Sequence, residues 1–232
     1  MEQAWNRHGT GTKPETNSIE TSIVVGLAAT ARAMLIVAAA VSGAAQAGDP
    51  AACANAPPKS IELVICKSAM LSALDTELNR VYALATGPIG GATSTTIQSQ
   101  QASWLATRSA CLKSKTRVAC VRDLSLARIA AIRTQSKSAR TADAKGTSLG
   151  PFAFRCEPPD TLLNITYVNV APGFAWIVRK NGASMLQQQR SGSGARYEGD
   201  GTLFWEAQGE ARWRDQTNDP EVTCKRSDSP GQ

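Results

Sequence analysis

Hydrophobic residues recur with two different periods along this chain, and the change between them falls near residue 135. Before it, three segments carry apolar residues at the spacing of one helix face. The segments carry Met70, Leu74, Leu78, Val81, Tyr82 and Ala85, then Ile97, Trp104, Leu105 and Leu112, then Val118, Val121, Leu124, Ile129 and Ile132. The stretch GPIGG at 87–91 ends the first helix. Short connections predict a small antiparallel helical bundle.

Beyond residue 150 the apolar positions form short alternating runs, which is typical of strands. The runs are LNITYVNV, FAWIVRK, SMLQQQR, GTLFWEA, EARWRDQ and EVTCKR. An Asn-Gly pair at 181–182 predicts a hairpin turn between the second and third runs. Six or more strands in so short a segment favour a small barrel or sandwich.

The two patterns are separated by a polar stretch rich in Ser, Ala, Gly and Lys, QSKSARTADAKGTSLG at 135–150. It lacks apolar periodicity, which predicts a flexible linker. We therefore expect an α + β chain of two domains, a helical domain at 48–134 and a β domain at 151–232.

The first 47 residues have the order of a secretory signal. Arg32 precedes an apolar run at 34–41, and Ala45-Gln46-Ala47 has the form of a cleavage site. The run is far shorter than the ~20 residues that span a bilayer, and a short buried helix is the alternative. The segment before it, roughly residues 1–22, is polar and unpatterned, which indicates that the start of the protein is assigned too early. The sequence before Cys53 is DPAA, which has proline where a lipobox has leucine, so we expect no lipid on Cys53. We expect cleavage after Ala47 and a soluble periplasmic or secreted protein without a membrane span.

Export would place the six cysteines in an oxidising compartment, where an even number favours disulfides. Cys156 and Cys224 lie near the two ends of the β domain, and pairing them would stabilise its small core. The other four allow three pairings, of which the sequence-local one is preferred. They are Cys53, Cys66, Cys111 and Cys120.

Cleavage would also remove His8, which is the only histidine. A serine nucleophile would then lack imidazole as its base, and RSGSGA at 190–195 lacks the first glycine of the G-x-S-x-G elbow. A lysine could replace histidine as the base of a serine nucleophile. Lys180 is the nearest upstream lysine, but it adjoins the Asn-Gly turn and nothing marks it as buried. We expect no enzyme activity, no metal site and no cofactor.

Charge differs between the two halves. Residues 48–149 carry 13 basic and 6 acidic side chains, whereas residues 150–232 carry 9 and 10. The basic helical half could bind anionic envelope polymers, or it could simply be soluble. Nucleic acid is not an expected partner.

One loop and the strand pair after it resemble a known family. SGSGARY at 191–197, followed by LFWEAQGEA at 203–211, is similar to the signature of the MliC/PliC inhibitors of C-type lysozyme, in which a Ser-x-Ser-Gly-Ala-x-Tyr loop precedes Trp-x-Lys-Gly. Phe154, Cys156 and Cys224 also lie where the family has its opening and closing strands. The resemblance covers 152–226 and implies an eight-stranded antiparallel β-barrel.

The resemblance implies a lysozyme-binding loop. Ser193 would offer its hydroxyl to the catalytic carboxylates of the lysozyme cleft, Gly192, Gly194 and Ala195 would permit close approach, and Tyr197 would support the loop from inside the barrel. For Tyr197 and Trp205, a role as simple core aromatics is the favoured alternative. The implied binding residues are Ser191, Gly192, Ser193, Gly194, Ala195, Arg196, Tyr197 and Gln208.

This sequence departs from the family at the lysine before glycine. The segment reads Trp205-Glu206-Ala207-Gln208-Gly209, so either Ala207 or Gln208 occupies the lysine position. In both alignments the cation is missing, and affinity for lysozyme is expected to be lower. Glu198, Asp200, Glu206 and Glu210 would make the surroundings of the loop acidic.

The first half resembles a second family, the LprI-type lysozyme-inhibitor domains, over about 53–133. The resemblance rests on ELVICKSAMLSALDTELNRVYA and QASWLATRSACLKSKTRVACVRDLSLARIAAI. We expect Tyr82, Trp104 and Leu105 in the core and Gln101 and Arg108 facing solvent, with no binding site assigned to this half. The chain as a whole is expected to be a periplasmic inhibitor of C-type lysozyme. The alternative is a peptidoglycan-binding module without inhibitory activity.

Overall fold

A computed structural model describes residues 53–88, 91–141 and 145–227. The expected signal segment lies outside the described residues. Within them, helices precede strands, as the change of hydrophobic period predicts. The helices are α1 (Ile61–Cys66), α2 (Ala69–Thr86), α3 (Gly91–Ala110) and α4 (Arg117–Gln135), with 3-10 turns at Cys111–Lys113 and Ser138–Arg140.

Eight strands follow and close into an antiparallel barrel in which each strand pairs with its neighbours in sequence. The strands are β1 (Ser148–Glu157), β2 (Thr161–Val168), β3 (Phe174–Arg179), β4 (Gly182–Gln189), β5 (Ala195–Gly199), β6 (Thr202–Ala207), β7 (Glu210–Arg214) and β8 (Val222–Ser227). This confirms the α + β fold class and the eight-stranded barrel. Strands β1 and β5 have no counterpart among the six alternating runs, although the family resemblance places an opening strand at Phe154 and Cys156.

Three disulfides close the structure, and their pairing agrees with the local preference. Cys53 is bonded to Cys66 and Cys111 to Cys120, over sequence separations of 13 and 9 residues. Cys156 is bonded to Cys224, and these residues face each other where β1 pairs with β8. The third disulfide therefore links the first and last strands at the seam of the barrel.

The helical half and the barrel share one hydrophobic core cluster. Val168, Val170 and Phe174 of the barrel are buried together with the apolar faces of the helices. A separate cluster fills the barrel, where the Phe154 and Phe204 rings meet edge to face at 5.2 Å. The helical half thus covers the barrel where β2 leads into β3.

Residues 135–141 and 145–150, the described part of the expected linker, are more ordered than their composition predicts. Arg133, which is buried at the end of α4, donates to the carbonyl of Ala139 at 2.8 Å and to that of Gly150 at 3.0 Å. Glu77 of α2 accepts from the backbone amides of Thr147 and Ser148 at 3.1 and 3.0 Å. Hydrogen bonds from two buried charged side chains to the backbone hold this segment, and sequence composition does not reveal such partners.

Candidate functional site

The loop between β4 and β5, residues 190–194, is exposed along its whole length. The last residue pair between the two strands is Gln189 with Arg196. In an antiparallel meander alternate connections share one end, so this loop lies at the same end as the connections 169–173 and 208–209. Hereafter this is the loop end of the barrel.

Hydrogen bonds within the site fix the conformation of the loop. The Ser191 hydroxyl donates to the Ser193 carbonyl at 2.5 Å, and the indole Nε1 of Trp205 donates to the same carbonyl at 2.9 Å. No hydrogen-bond partner of the Ser193 hydroxyl occurs among the described residues. The backbone of Ser193 is therefore held while its side chain remains available to a ligand.

Gly194 adopts a backbone conformation that favours glycine, with φ of +66°. A Cβ on Gly194 would collide with the carbonyl oxygen of Glu206 and would lie 2.8 Å from the Cα and Cβ of Ala207. A Cβ on Gly192 would meet nothing within 4 Å. Close packing of β6 against the loop therefore requires glycine at 194 only.

A polar cluster lies inside the barrel beneath the loop. Tyr167 donates its hydroxyl to a carboxylate oxygen of Glu206 at 2.6 Å, and the Tyr167 and Tyr197 rings are 5.4 Å apart. Burial, reinforced by the hydrogen bond to Glu206, raises the pKa of Tyr167. Burial and the Glu206 charge also raise the pKa of Tyr197. Both hydroxyls stay protonated at neutral pH, and the Glu206 carboxylate is engaged inside the barrel.

The connection between β6 and β7 is a two-residue turn. Gln208 and Gly209 have φ values of +54° and +83°, and Ala207 pairs with Glu210 across the base of the turn. Positive φ at both central positions is the pattern of a type I′ hairpin turn. The exposed Gln208 therefore occupies the turn position directly before glycine.

A surface depression of about 440 Å³ lies beside the loop and connects it to this turn. Its lining residues come from the loop and from β6 to β8. They are Ser193, Trp205, Ala207, Gln208, Glu210, Ala211, Arg212 and Thr223. The depression brings Ser193 and Gln208 to one surface although 15 positions separate them in the sequence.

Comparison with known proteins supports the interpretation of the barrel. Residues 154–222 match the MliC family, described as membrane-bound lysozyme-inhibitor of c-type lysozyme. The barrel is MliC-like. The matched segment contains the loop, Trp205 and both residues of the β6–β7 turn.

The chain is also similar to the lipoprotein LprI of Mycobacterium bovis and of Mycobacterium tuberculosis. Each is 27% identical over 157 residues, which is 67% of this chain and 75% of the relative. The aligned length is greater than the 134 residues up to the end of the helical half, so the similarity includes residues of both halves. No solved structure gives a significant match.

The MliC-like barrel brings most of the expected site residues together, with three refinements. Residues 191–197 form the loop and the start of β5, and Gln208 shares the depression with Ser193. Asp200, expected near the loop, lies at the opposite end of the barrel because it follows β5. Glu206 turns inward to Tyr167, and Glu198 pairs with Arg196 at 3.1 Å.

The structure corrects the expectation that Trp205 is a core aromatic, and it adds Arg212 to the residues beside the loop. Trp205 supports the Ser193 carbonyl from outside the barrel, and Arg212 lies with its guanidinium 5.7 Å from the centre of the Trp205 ring. The alternation of β6 and β7 places both side chains on the outer face. The contact follows from the register in which β6 pairs with β7, and the sequence alone does not specify that register.

In the LprI-like half, the motif residues hold the bundle together. The Trp104 indole donates to the Leu124 carbonyl at 3.3 Å, and Arg108 pairs with Asp75 at 2.7 Å. Gln101 accepts from the buried Arg128 of α4 at 3.0 Å. The expectation of a solvent-facing Arg108 is wrong, because the ion pair and the Trp104 ring cover this side chain and leave it 9% exposed.

Two apolar positions of the LprI-like half also differ from expectation. Leu105 is 40% and Val118 is 46% exposed, whereas helical spacing places both with the core. Val118 lies in the first turn of α4, and Leu105 lies beside Trp104 on α3. Both side chains therefore lie at the solvent edge of the helical half.

The described residues contain no helix that is long and apolar enough to cross a membrane. Within the same ranges, no group of three or more histidine, cysteine or acidic side chains could hold a metal ion.

Proposed function

We propose that this chain is an inhibitor of C-type lysozyme that inserts the loop 191–195 into the active-site cleft of the enzyme. The observation that carries the proposal is the state of Ser193, whose backbone is fixed by Trp205 while its hydroxyl is exposed and unbonded. The loop lies within the residues that match a lysozyme-inhibitor family. Its small side chains suit entry into a narrow cleft.

The chemistry of the target suits this loop. A lysozyme cleft carries two carboxyl groups that flank the scissile sugar bond. A hydroxyl from Ser193 can donate to one of them, and Gly192 and Gly194 expose backbone without bulky side chains. The loop would occupy the site of the substrate, so inhibition is expected to be competitive. No bond is made or broken by the inhibitor.

Where the protein acts follows from the same proposal. Residues 1–47 would direct export, and cleavage after Ala47 would release the inhibitor into the periplasm or medium, where lysozyme reaches the cell wall. The three disulfides suit an oxidising compartment.

A turbidity assay of C-type lysozyme on cell walls tests the proposal directly. The protein with residues 1–47 removed should slow the clearing of the walls, and Ser193→Tyr should abolish the effect because a phenol at the loop cannot enter the cleft. Asn181→Tyr, at the exposed β3–β4 turn on the opposite barrel end, is the matched control and should inhibit normally. Full inhibition by Ser193→Tyr would exclude insertion of this loop.

A second candidate function, binding of an anionic envelope polymer, has one observation in its favour. A groove on the helical half is lined by apolar Leu63, Val64 and Leu112, with Lys59, Lys67 and Arg117 among its other lining residues. Binding to purified peptidoglycan that weakens steeply with added salt, without inhibition of lysozyme, would favour this function.

A further inference from the structure

One positively charged side chain lines the depression beside the loop. Arg212 is the only basic residue that lines it, and Glu210 is the only acidic one. Both side chains are exposed, and both lie on the outer face of β7 because two positions separate them. No ion pair joins them in the structure.

Arg212 differs in this respect from several other arginines of the barrel. Arg155, Arg179, Arg196 and Arg214 are each within 3.4 Å of a carboxylate oxygen. Among the described residues, no carboxylate pairs with Arg212. Its guanidinium lies instead over the face of Trp205, which leaves the donor edge of the guanidinium free for an acceptor.

The Trp205 side chain contacts both the loop and the Arg212 guanidinium. The Trp205 indole donates to the Ser193 carbonyl, and the Arg212 guanidinium lies over the same ring. Trp205 and Arg212 are also direct partners in the β6–β7 ladder. The guanidinium therefore lies beside the loop, in contact with the same ring that holds the Ser193 carbonyl.

On the basis of the proposed function, we propose that Arg212 is the cation through which the loop end of the barrel holds a carboxylate of the lysozyme cleft. The cleft offers two carboxyl groups, so the Ser193 hydroxyl can serve one while Arg212 serves the other. A guanidinium presents a planar pair of donors that matches a carboxylate, and such charge-assisted pairs are about twice as strong as neutral hydrogen bonds. Arg212 thereby determines affinity for an acidic cleft.

Substitution with a charge-matched control tests the proposal in the full mature chain. Arg212→Ala should raise the inhibition constant about tenfold to a hundredfold, the range of a charged hydrogen bond. Arg212→Lys should recover part of the loss, since it keeps the charge but not the paired donors. Lys180→Ala removes the same charge from the exposed β3–β4 turn at the opposite end of the barrel and should change the constant by less than about threefold.

Lysozyme variants distinguish a direct contact from a general effect. Dissociation constants are measured by titration calorimetry against lysozyme with its catalytic aspartate changed to asparagine, and against lysozyme with its catalytic glutamate changed to glutamine. If Arg212 binds one carboxylate, Arg212→Ala should cost much less affinity against the corresponding amide variant than against the unchanged enzyme. A cost that is equal against all three lysozymes would overturn the proposal.

The outcomes separate this proposal from the proposed function. If the unsubstituted chain neither binds nor inhibits lysozyme, the proposed function fails and the role of Arg212 fails with it. If the chain inhibits and Ser193→Tyr abolishes inhibition, but Arg212→Ala and Arg212→Lys inhibit normally, only the role of Arg212 is refuted. Equal losses for Lys180→Ala and Arg212→Ala would likewise refute it, because net charge alone would explain them.

Discussion

Individual residues of the loop carry different constraints, although four of the five at 191–195 are serine or glycine. Gly194 is enclosed by the backbone of Glu206 and by Ala207, whereas Gly192 faces open space. Ser191 bonds within the loop, and Ser193 is held through its carbonyl. The conformation thus depends on Gly194 and Trp205, while Gly192 and the Ser193 hydroxyl remain for contact with a partner.

We expect Gly194→Ala to destabilise the barrel and to weaken inhibition together. The new Cβ would collide with β6, and alanine is strained at a φ of +66°. The free energy of unfolding should fall by about 2 kcal/mol. Gly192→Ala is the control and should change it by less than about 0.5 kcal/mol. Urea denaturation of both variants measures this, and equal stability would show that the loop can move away from β6.

At the scale of elements, the β6–β7 hairpin resolves an ambiguity in the sequence. The missing lysine could be aligned with Ala207 or with Gln208. In the structure Gln208 is exposed at the turn and lines the depression, whereas Ala207 contacts the position of Gly194. We therefore expect Gln208, rather than Ala207, to occupy the lysine position.

Gln208→Lys should tighten binding to C-type lysozyme about tenfold, the lower part of the range for a charged hydrogen bond, since the lysine loses rotamer entropy. Ala207→Lys should not, because the longer side chain starts from a half-buried site packed against the loop. Titration calorimetry with both variants is the test. Tighter binding by Ala207→Lys alone would reverse the assignment.

The sequence predicted individual helices and strands better than the contacts between them. The helical spacing and the alternating runs anticipated α2, α3, α4 and most strands, because each pattern reflects burial of one face. Strand β5 was missed because ARYEG is short and follows a Ser-Gly loop. The buried Arg108 and the Trp205–Arg212 contact were missed for another reason. They depend on residues from other elements, and a single sequence does not specify which elements meet.

At the scale of the whole molecule, Glu77 joins the two halves. It is 2% exposed, it pairs with Arg80 at 2.7 Å, and it accepts from the amides of Thr147 and Ser148 and from the Ser148 hydroxyl. Burial alone would raise the pKa of Glu77, but hydrogen bonds from Arg80, Ser148 and Thr147 outweigh it and hold the pKa below its ordinary value of 4.5.

We expect Glu77→Gln to destabilise the protein by about 3 kcal/mol at neutral pH, because it removes the buried carboxylate that Arg80 and the start of β1 bind. A lowered pKa in the folded state stabilises above the unfolded value, and this contribution is lost as the pH falls through the folded value. The difference in unfolding free energy between the unsubstituted protein and Glu77→Gln should therefore shrink below about pH 4.5.

Denaturant unfolding of both proteins from pH 7 to pH 3 measures this difference. Glu157→Gln, on an exposed position of β1, is the control and should differ from the unsubstituted protein by less than about 0.5 kcal/mol. A gap for Glu77→Gln that stays constant down to pH 3 would contradict the role assigned to its charge.

The spacing of the disulfides has a consequence for the order of oxidative folding. The first two bridges close loops of 13 and 9 residues within the helical half, whereas the third spans 68 residues. A chain delivered N-terminus first can form the two short bridges while its β half is still emerging. The barrel seam can be oxidised only after Cys224 arrives. Once the two short bridges have formed, the folded helices would provide an apolar surface on which β2 and β3 can assemble.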